Sequence, residues 1–180
     1  MIVDISGYTR FITQRTTSML HAEQIVTELL DAEIDKTEYP LRLNKLQGDA
    51  ALLYREFTQA NAEPAARDAL RQLGNAFVAF DARRECLSSQ RSGCSCDACS
   101  NIASLGLKAF VHAGGIAIKQ VRQFEDLAGE PVIFVHQLLK NRVEETEYVL
   151  LSGPVQALLG AGGCDFRENQ ESVNGFGEPT

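Results

Sequence analysis

Two aspartates stand beside glycines at the edges of apolar, strand-like runs. Asp4 precedes Gly7, and Asp49 directly follows Gly48. Carboxylate oxygens are the ligands that magnesium and manganese prefer, so this pair can contribute to a divalent-cation site. The simpler alternative is that both aspartates stabilise turns, because an aspartate side chain readily bonds to its own backbone.

A second group of candidate residues is rich in cysteine. Cys94, Cys96 and Cys99 place three thiols close together in sequence, and Cys86 lies a short distance upstream. Three or four thiolates are the usual ligands of a structural zinc ion. We therefore predict a zinc site formed by Cys86, Cys94, Cys96 and Cys99.

The sequence does not decide which residue is the fourth ligand of this site. His112 or Cys164 can replace Cys86. The chain has five cysteines, an odd and clustered set that favours metal or redox chemistry over a secreted disulfide framework. The alternatives to a metal are free thiols or a reversible disulfide between Cys96 and Cys99.

The elements that must position these groups follow from hydrophobic periodicity. Ser18 is a favourable N-cap for a helix that runs to about Lys36, since apolar residues recur there at helical spacing. Leu41 to Tyr54 is predicted to form a hairpin with Gly48-Asp49 at its turn. Glu63-Pro64 begins a second helix, which runs to about Cys86.

The second half of the chain predicts further strands and helices. In order they are strands at Leu107 to Ala113 and Ile116 to Val121, a loop at Phe124 to Glu130, a helix at Pro131 to Asn141, a strand at Tyr148 to Leu151, a helical turn at Pro154 to Leu159 and a strand at about Phe166 to Val173. This order predicts an α+β fold with a ferredoxin-like, mostly antiparallel sheet and helices packed on it. We expect one domain over residues 1–180, with a cysteine-rich loop at 86–101.

Composition narrows the choice of partners. Seventeen basic residues against twenty-four acidic ones give a net charge of −7, which disfavours nucleic acid and anionic membrane surfaces. No apolar run approaches the roughly 20 residues of a membrane-spanning helix. We expect a cytoplasmic protein.

Four motifs resemble those of class III adenylate and guanylate cyclases. They occur in the expected order and are Asp4-Ile5-Ser6-Gly7-Tyr8-Thr9-Arg10-Phe11, Lys45-x-x-Gly48-Asp49, Leu107-x-x-x-Val111-His112-x-Gly114 and Asp126-x-x-Gly129-x-x-Val132. Together they span nearly the whole chain. The cysteine cluster before the Leu107 motif also resembles an uncharacterised branch of that superfamily.

The resemblance implies a site for a purine nucleotide and its metal ion. Magnesium or manganese would be bound by Asp4, Asp49 and the carbonyl of Ile5. The phosphates would lie against the backbone amides of Ser6, Gly7, Tyr8 and Thr9, and the adenine base would be read by Lys45 and Asp126. The resemblance further implies a homodimer whose sites lie across the subunit interface.

Two positions depart from the cyclase pattern. Ile133 and Gln137 stand where the family has its transition-state asparagine and arginine. Removing one such preorganised group typically costs about 10²–10³ in rate. The sequence therefore predicts a cyclase-like signalling pseudoenzyme, a nucleotide- and metal-binding or regulatory module without efficient turnover. The alternative is an active adenylate cyclase that makes cyclic AMP from ATP.

Overall fold

The computed structural model describes residues 1–13, 18–160 and 167–168. The strands are Ile2–Ser6 (β1), Arg42–Gln47 (β2), Ala50–Tyr54 (β3), Gly106–Val111 (β4), Ala117–Val121 (β5), Phe124–Ala128 (β6) and Tyr148–Leu151 (β7). The helices are Tyr8–Ile12 (α1), Met19–Ile34 (α2), Ala62–Gln90 (α3), Asp97–Ser100 (α4), Glu130–Leu138 (α5) and Gly153–Leu159 (α6).

These elements confirm the predicted α+β fold. The main sheet has the strand order β2-β3-β1-β4-β7. Its first four strands pair antiparallel, whereas β7 joins β4 in parallel. The unit from β1 through α2, β2, β3 and α3 to β4 is the split βαβ arrangement of ferredoxin-like sheets. Because β1 lies between β3 and β4, the first strand of the chain is central in the sheet.

The sheet separates two apolar layers, as strand alternation requires. Val3 and Ile5 of β1 belong to the larger core, which also contains the apolar residues of α2 and α3. Ile2 belongs to a smaller core on the other face, together with Val135 and Leu138 of α5. The helices are thus held by apolar contacts on both faces of the sheet.

The predicted start of α2 and the predicted β2–β3 hairpin are confirmed. Ser18 caps α2, and its hydroxyl accepts a hydrogen bond from the His21 N–H at 3.4 Å. Gly48 adopts a φ of 68° at the hairpin turn, a conformation that favours glycine. The alternative ligand Cys164 lies outside the described residues, and so does the predicted strand from Phe166 to Val173 except for Arg167 and Glu168, which are not in a strand.

One predicted element is wrong. The sequence predicts a strand at Ile116 to Val121 followed by a loop at Phe124 to Glu130. Instead, β5 pairs with β6 in a separate two-stranded sheet. Both edges of β4 are already occupied by β1 and β7, so the chain after β4 leaves the main sheet.

The helices of the described segments include none with the length and apolarity needed to cross a bilayer.

Glu33 of α2 is a buried acid and provides a test of the packing. Its side chain is 3% exposed, and neither carboxyl oxygen has a hydrogen-bond partner among the described residues. Burial, and secondarily the charge of Asp4, raises the pKa of Glu33 to about 8. The folded state therefore favours the neutral acid.

We expect Glu33→Gln to remove a pH dependence of stability. In the unfolded chain Glu33 ionises near its ordinary pKa of 4.5, so wild-type stability falls from there up to about pH 8. The slope is at most about 1.4 kcal/mol per pH unit. Urea unfolding at pH 5 and pH 8 measures it. Glu23→Gln on the exposed side of the same helix is the control, and an unchanged slope in Glu33→Gln would contradict the burial of an unpaired acid.

Candidate metal centre

The start of α2 and the end of α3 lie side by side at one end of the helix layer. Arg83, near the end of α3, forms an ion pair with Glu28 of α2. Arg91, just after α3, lies 3.5 Å from a Glu28 carboxylate oxygen and 3.4 Å from the Gln24 amide oxygen. The cysteine-rich segment that follows α3 therefore meets the first turn of α2.

This meeting places one histidine against three cysteines. The Nδ1 atom of His21 lies 3.6 Å from the sulfur of Cys94, 3.5 Å from that of Cys96 and 3.4 Å from that of Cys99. The four ligand atoms all lie within 4.8 Å of one another. The described residues thus contain a Cys3His group that can hold a metal ion.

The spacing fits a tetrahedral ion of the size of zinc. Zinc binds thiolate sulfur at about 2.3 Å and imidazole nitrogen at about 2.0–2.1 Å, so tetrahedral angles separate sulfur from nitrogen by about 3.6 Å. The three observed separations of 3.4 to 3.6 Å agree with this value. A ligand set of this kind is complete without water or substrate.

The short helix α4 fixes two of the thiols. Cys96 is its N-cap, and the Cys96 sulfur accepts a hydrogen bond from the Cys99 N–H at 3.5 Å. Between them, Ala98 is fully buried in the larger core, and so is Ile102 just after the helix. Apolar contacts therefore hold this loop against the helix layer.

The surroundings affect the two thiols differently. The Cys99 N–H lowers the pKa of the Cys96 thiol to about 6, which favours the thiolate that a metal requires. Burial raises the pKa of Cys99, and a hydrogen bond from the Arg91 side chain opposes this effect. Around a divalent ion, three thiolates and a neutral imidazole would leave one net negative charge, and the Arg91 guanidinium next to Cys99 would offset it.

The structure places beside the three cysteines a histidine that the sequence did not single out, and it places the predicted fourth ligand elsewhere. His21 occupies the place expected for Cys86, whose sulfur instead accepts a hydrogen bond from the Gln90 side chain at 3.2 Å. The alternative ligand His112 is elsewhere: its Nδ1 atom lies 2.8 Å from the Ser152 hydroxyl.

His21 could have been found from the predicted topology. In a split βαβ unit the two helices run antiparallel, so the start of the first helix lies near the end of the second. His21 is in the first turn of α2, and the cysteines follow α3. Spacing along the chain gives no such signal, since 73 residues separate His21 from Cys94.

The two aspartates of the predicted magnesium or manganese site are also neighbours. The Ile5 N–H donates to the Asp49 carbonyl at 3.1 Å, which places the hairpin turn beside β1. Burial, and then the charge of Asp4, raises the pKa of Asp49 to about 6. The structure therefore brings Asp4, Ile5 and Asp49 together, as the sequence predicted.

A lysine that the sequence analysis did not consider joins this pair. Lys108 lies directly opposite Asp4 in the β1–β4 pairing, and its Nζ atom is 3.1 Å from an Asp4 carboxylate oxygen. Burial raises the pKa of Asp4, and the Lys108 ammonium opposes that rise. A cation at these aspartates would share Asp4 with Lys108, so the fit to magnesium or manganese is less complete than the fit of the Cys3His group to zinc.

The predicted phosphate-binding turn runs from the end of β1 into α1. Ser6 ends β1, Gly7 has a φ of 85°, and Tyr8 and Thr9 begin α1. A Cβ atom placed on Gly7 would lie 3.2 Å from the Ser104 carbonyl oxygen. This turn therefore packs closely on the segment that follows α4.

Lys45 and Asp126, the predicted base-reading pair, meet although they are 81 residues apart. The Lys45 ammonium lies 2.9 Å from an Asp126 carboxylate oxygen and holds the pKa of Asp126 below its ordinary value. Lys119 lies 3.4 Å from the other oxygen. These contacts connect the β5–β6 sheet to β2.

Ile133 and Gln137 both lie on α5. Ile133 is 57% exposed, and Gln137 is half-buried one turn later. His136, next to Gln137, lies 2.9 Å from the Gln47 side-chain oxygen through its Nε2 atom. Positions 133 and 137 of α5 therefore carry neither an asparagine nor an arginine.

Fold and site together define an α+β protein with a split βαβ sheet and a Cys3His group that can bind a metal ion. The chain belongs to the family described as Protein of unknown function (DUF2652), whose model matches residues 26–148. The match includes the three clustered cysteines, Lys45, Asp49 and Asp126, and begins after Asp4 and His21.

A relative from Mycobacterium tuberculosis is the uncharacterized protein Rv2561/Rv2562. It is 31% identical to this chain over 134 residues, which are 74% of this chain and 60% of that protein. The chain thus spans about 60% of the length of that relative.

We expect Asp4→Asn to lower the pKa of Asp49 from its value of about 6. The substitution removes the charge of Asp4, while burial keeps the pKa above its ordinary value of 3.8. Titration of the side-chain carboxyl carbons by NMR measures the change. Asp31→Asn on the exposed face of α2 is the control, and an unchanged Asp49 titration in Asp4→Asn would contradict the proximity of the two carboxylates.

Proposed function

We propose that the protein is a zinc-stabilised, cyclase-like regulatory module, with one zinc ion bound by His21, Cys94, Cys96 and Cys99. The observation that carries the zinc assignment is the agreement of all three sulfur–nitrogen separations with tetrahedral zinc geometry. The ligand chemistry supports it as well, because thiolates and imidazole suit zinc better than magnesium or calcium.

The zinc has a structural role in this proposal. The protein supplies four ligands, whereas catalytic zinc sites keep one position for water or substrate. When bound, the ion cross-links the first turn of α2 to the loop between α3 and β4 and adds its binding free energy to the folding free energy. Reduced thiols are required for this, which suits a cytoplasmic location.

The cyclase-like part of the proposal rests on the second group of residues. Asp4 and Asp49 are neighbours, Lys45 contacts Asp126, and both pairs unite distant parts of the sequence. They would bind a purine nucleotide with magnesium or manganese, in a homodimer. Ile133 and Gln137 supply neither the hydrogen bond nor the charge that cyclase turnover needs.

A second candidate function is active adenylate cyclase. The contact between Lys45 and Asp126 favours it, since a donor and an acceptor side by side could discriminate adenine from guanine. In that case Lys108 or Lys140 would have to offset the charge that Gln137 cannot. We favour the regulatory module because Ile133 and Gln137 stand on α5 in place of the asparagine and arginine.

The zinc assignment predicts one zinc ion per chain in protein purified without chelators, measured by plasma mass spectrometry. His21→Ala should weaken zinc binding by more than about 100-fold, because loss of an outer-shell partner alone typically costs 10–100-fold. His112→Ala and Cys86→Ser are matched controls and should keep full occupancy, since neither side chain belongs to the cluster. Full zinc occupancy in His21→Ala would refute the assignment.

The nucleotide assignment predicts binding of ATP in the presence of manganese, measured by isothermal titration. Asp49→Ala should abolish the binding, and Lys45→Ala should weaken ATP relative to GTP. The mixture should contain no cyclic nucleotide afterwards. Product formation would support the cyclase alternative, and the absence of any binding would leave the aspartates as turn residues.

A further inference from the structure

We propose that the metal centre responds to peroxides, which join Cys96 to Cys99 in a disulfide and thereby release the metal ion. The inference rests on the zinc centre proposed above and concerns its regulation. It assigns different roles to the three cysteines: two form the disulfide, and Cys94 does not.

The local geometry selects Cys96 and Cys99 as the bonded pair. Cys96 caps α4, and Cys99 lies three residues later in the first turn of that helix. The Cys99 N–H already donates a hydrogen bond to the Cys96 sulfur. Residues three apart at the start of a helix have Cα atoms about 5–6 Å from each other. A disulfide requires about 4.4–6.8 Å, so this separation suits the bond. A bond between Cys94 and Cys96 would instead close a much smaller ring around Ser95.

Within this pair, exposure distinguishes the sulfur that reacts first. Cys96 is half-buried, whereas Cys99 is only 7% exposed. A small peroxide can therefore reach the Cys96 sulfur from solvent, and the Cys99 sulfur lies within 4.8 Å to resolve the product. This division of roles is typical of oxidation-sensitive thiol pairs.

The chemistry balances with hydrogen peroxide as the oxidant. The Cys96 thiolate attacks one peroxide oxygen: a sulfur–oxygen bond forms, the oxygen–oxygen bond breaks, and hydroxide leaves as water after taking a proton. The Cys99 thiolate then attacks the Cys96 sulfur, forming the disulfide and releasing the second oxygen as water with a second proton. Two thiolates lose two electrons and one peroxide gains them.

The metal ion leaves because it loses half of its ligands. A neutral disulfide is a poor zinc ligand, so only His21 and Cys94 would remain. The zinc keeps its charge of +2 throughout. The cross-link between α2 and the loop after α3 is then broken.

Release of the ion should change the packing of the β1–α1 turn. The segment after α4 touches this turn, since the Ser104 carbonyl lies next to Gly7. Leu105, which follows, is buried in the larger core. Loss of the cross-link should therefore loosen the packing beneath Ser6 to Thr9, the residues proposed to face a nucleotide.

The test uses the full chain, with its zinc content first measured by mass spectrometry. Hydrogen peroxide is added, released zinc is followed with a chromogenic chelator, and disulfides are mapped by peptide mass spectrometry. We expect one zinc released per Cys96–Cys99 disulfide, with zinc binding restored by a dithiol reductant and added zinc. Cys86→Ser should behave as the wild type, because Cys86 lies outside the cluster.

A second variant separates metal binding from disulfide formation. Cys99→His keeps four zinc ligands in a Cys2His2 set but removes the resolving thiol. Its zinc should be released by peroxide at least about tenfold more slowly than in the wild type. If this variant does not fold, the disulfide map of the wild type still shows whether Cys96 and Cys99 form the disulfide.

The results that overturn the inference are distinct from those that overturn the zinc centre. Zinc that stays bound while peroxide is consumed, or zinc release with a disulfide through Cys94 or Cys86, would refute the redox response and leave the zinc centre intact. A chain that contains no zinc before peroxide is added would refute both.

Discussion

The antiparallel packing of α2 against α3 is the constraint on which the rest of the structure depends. It brings the first turn of one helix to the end of the other and so places His21 beside three cysteines that follow far along the chain. Apolar contacts hold the two helices on the sheet, and Ala98 and Ile102 anchor the segment after α3 in the same core. A metal ion bound by the Cys3His group would add a cross-link between this segment and α2.

The two candidate sites lie on connected parts of the fold. The Cys3His group is at one end of the helix layer, and the segment after it supports the β1–α1 turn that follows Asp4. Asp4 and Asp49 meet because β1 and β3 are adjacent, and Lys45 meets Asp126 because the β5–β6 sheet folds back on β2. A change at the cysteine loop therefore has a direct physical route to the turn proposed to bind phosphate.

Local signals in the sequence predicted much of this fold. Ser18 marked the start of α2, Gly48-Asp49 marked the hairpin turn, and the order of elements gave the sheet. The β5–β6 pairing could not be predicted in the same way, because it depends on both edges of β4 being occupied by strands distant in sequence. The proximity of Asp4 and Asp49 followed from a family resemblance, which says nothing about Lys108.

The residues of the candidate metal centre likewise differ in how far the sequence predicts them. Cys94, Cys96 and Cys99 were recognisable from their spacing, since three ligands within one loop leave a local pattern. His21, the proposed fourth ligand, leaves no such pattern, because it reaches the cysteines only through the packing of two helices. Cys86 is nearer to the other cysteines in sequence, yet it lies within α3, where its sulfur accepts a hydrogen bond from the Gln90 side chain one turn later.

X-ray absorption at the zinc edge, on protein purified without added metal or chelator, tests the central claim most directly. The account predicts three sulfur neighbours at about 2.3 Å and one nitrogen neighbour at about 2.0–2.1 Å. Four sulfur neighbours would instead indicate that Cys86 or Cys164 is the fourth ligand. A shell of oxygen and nitrogen alone, or the absence of zinc, would contradict the Cys3His centre.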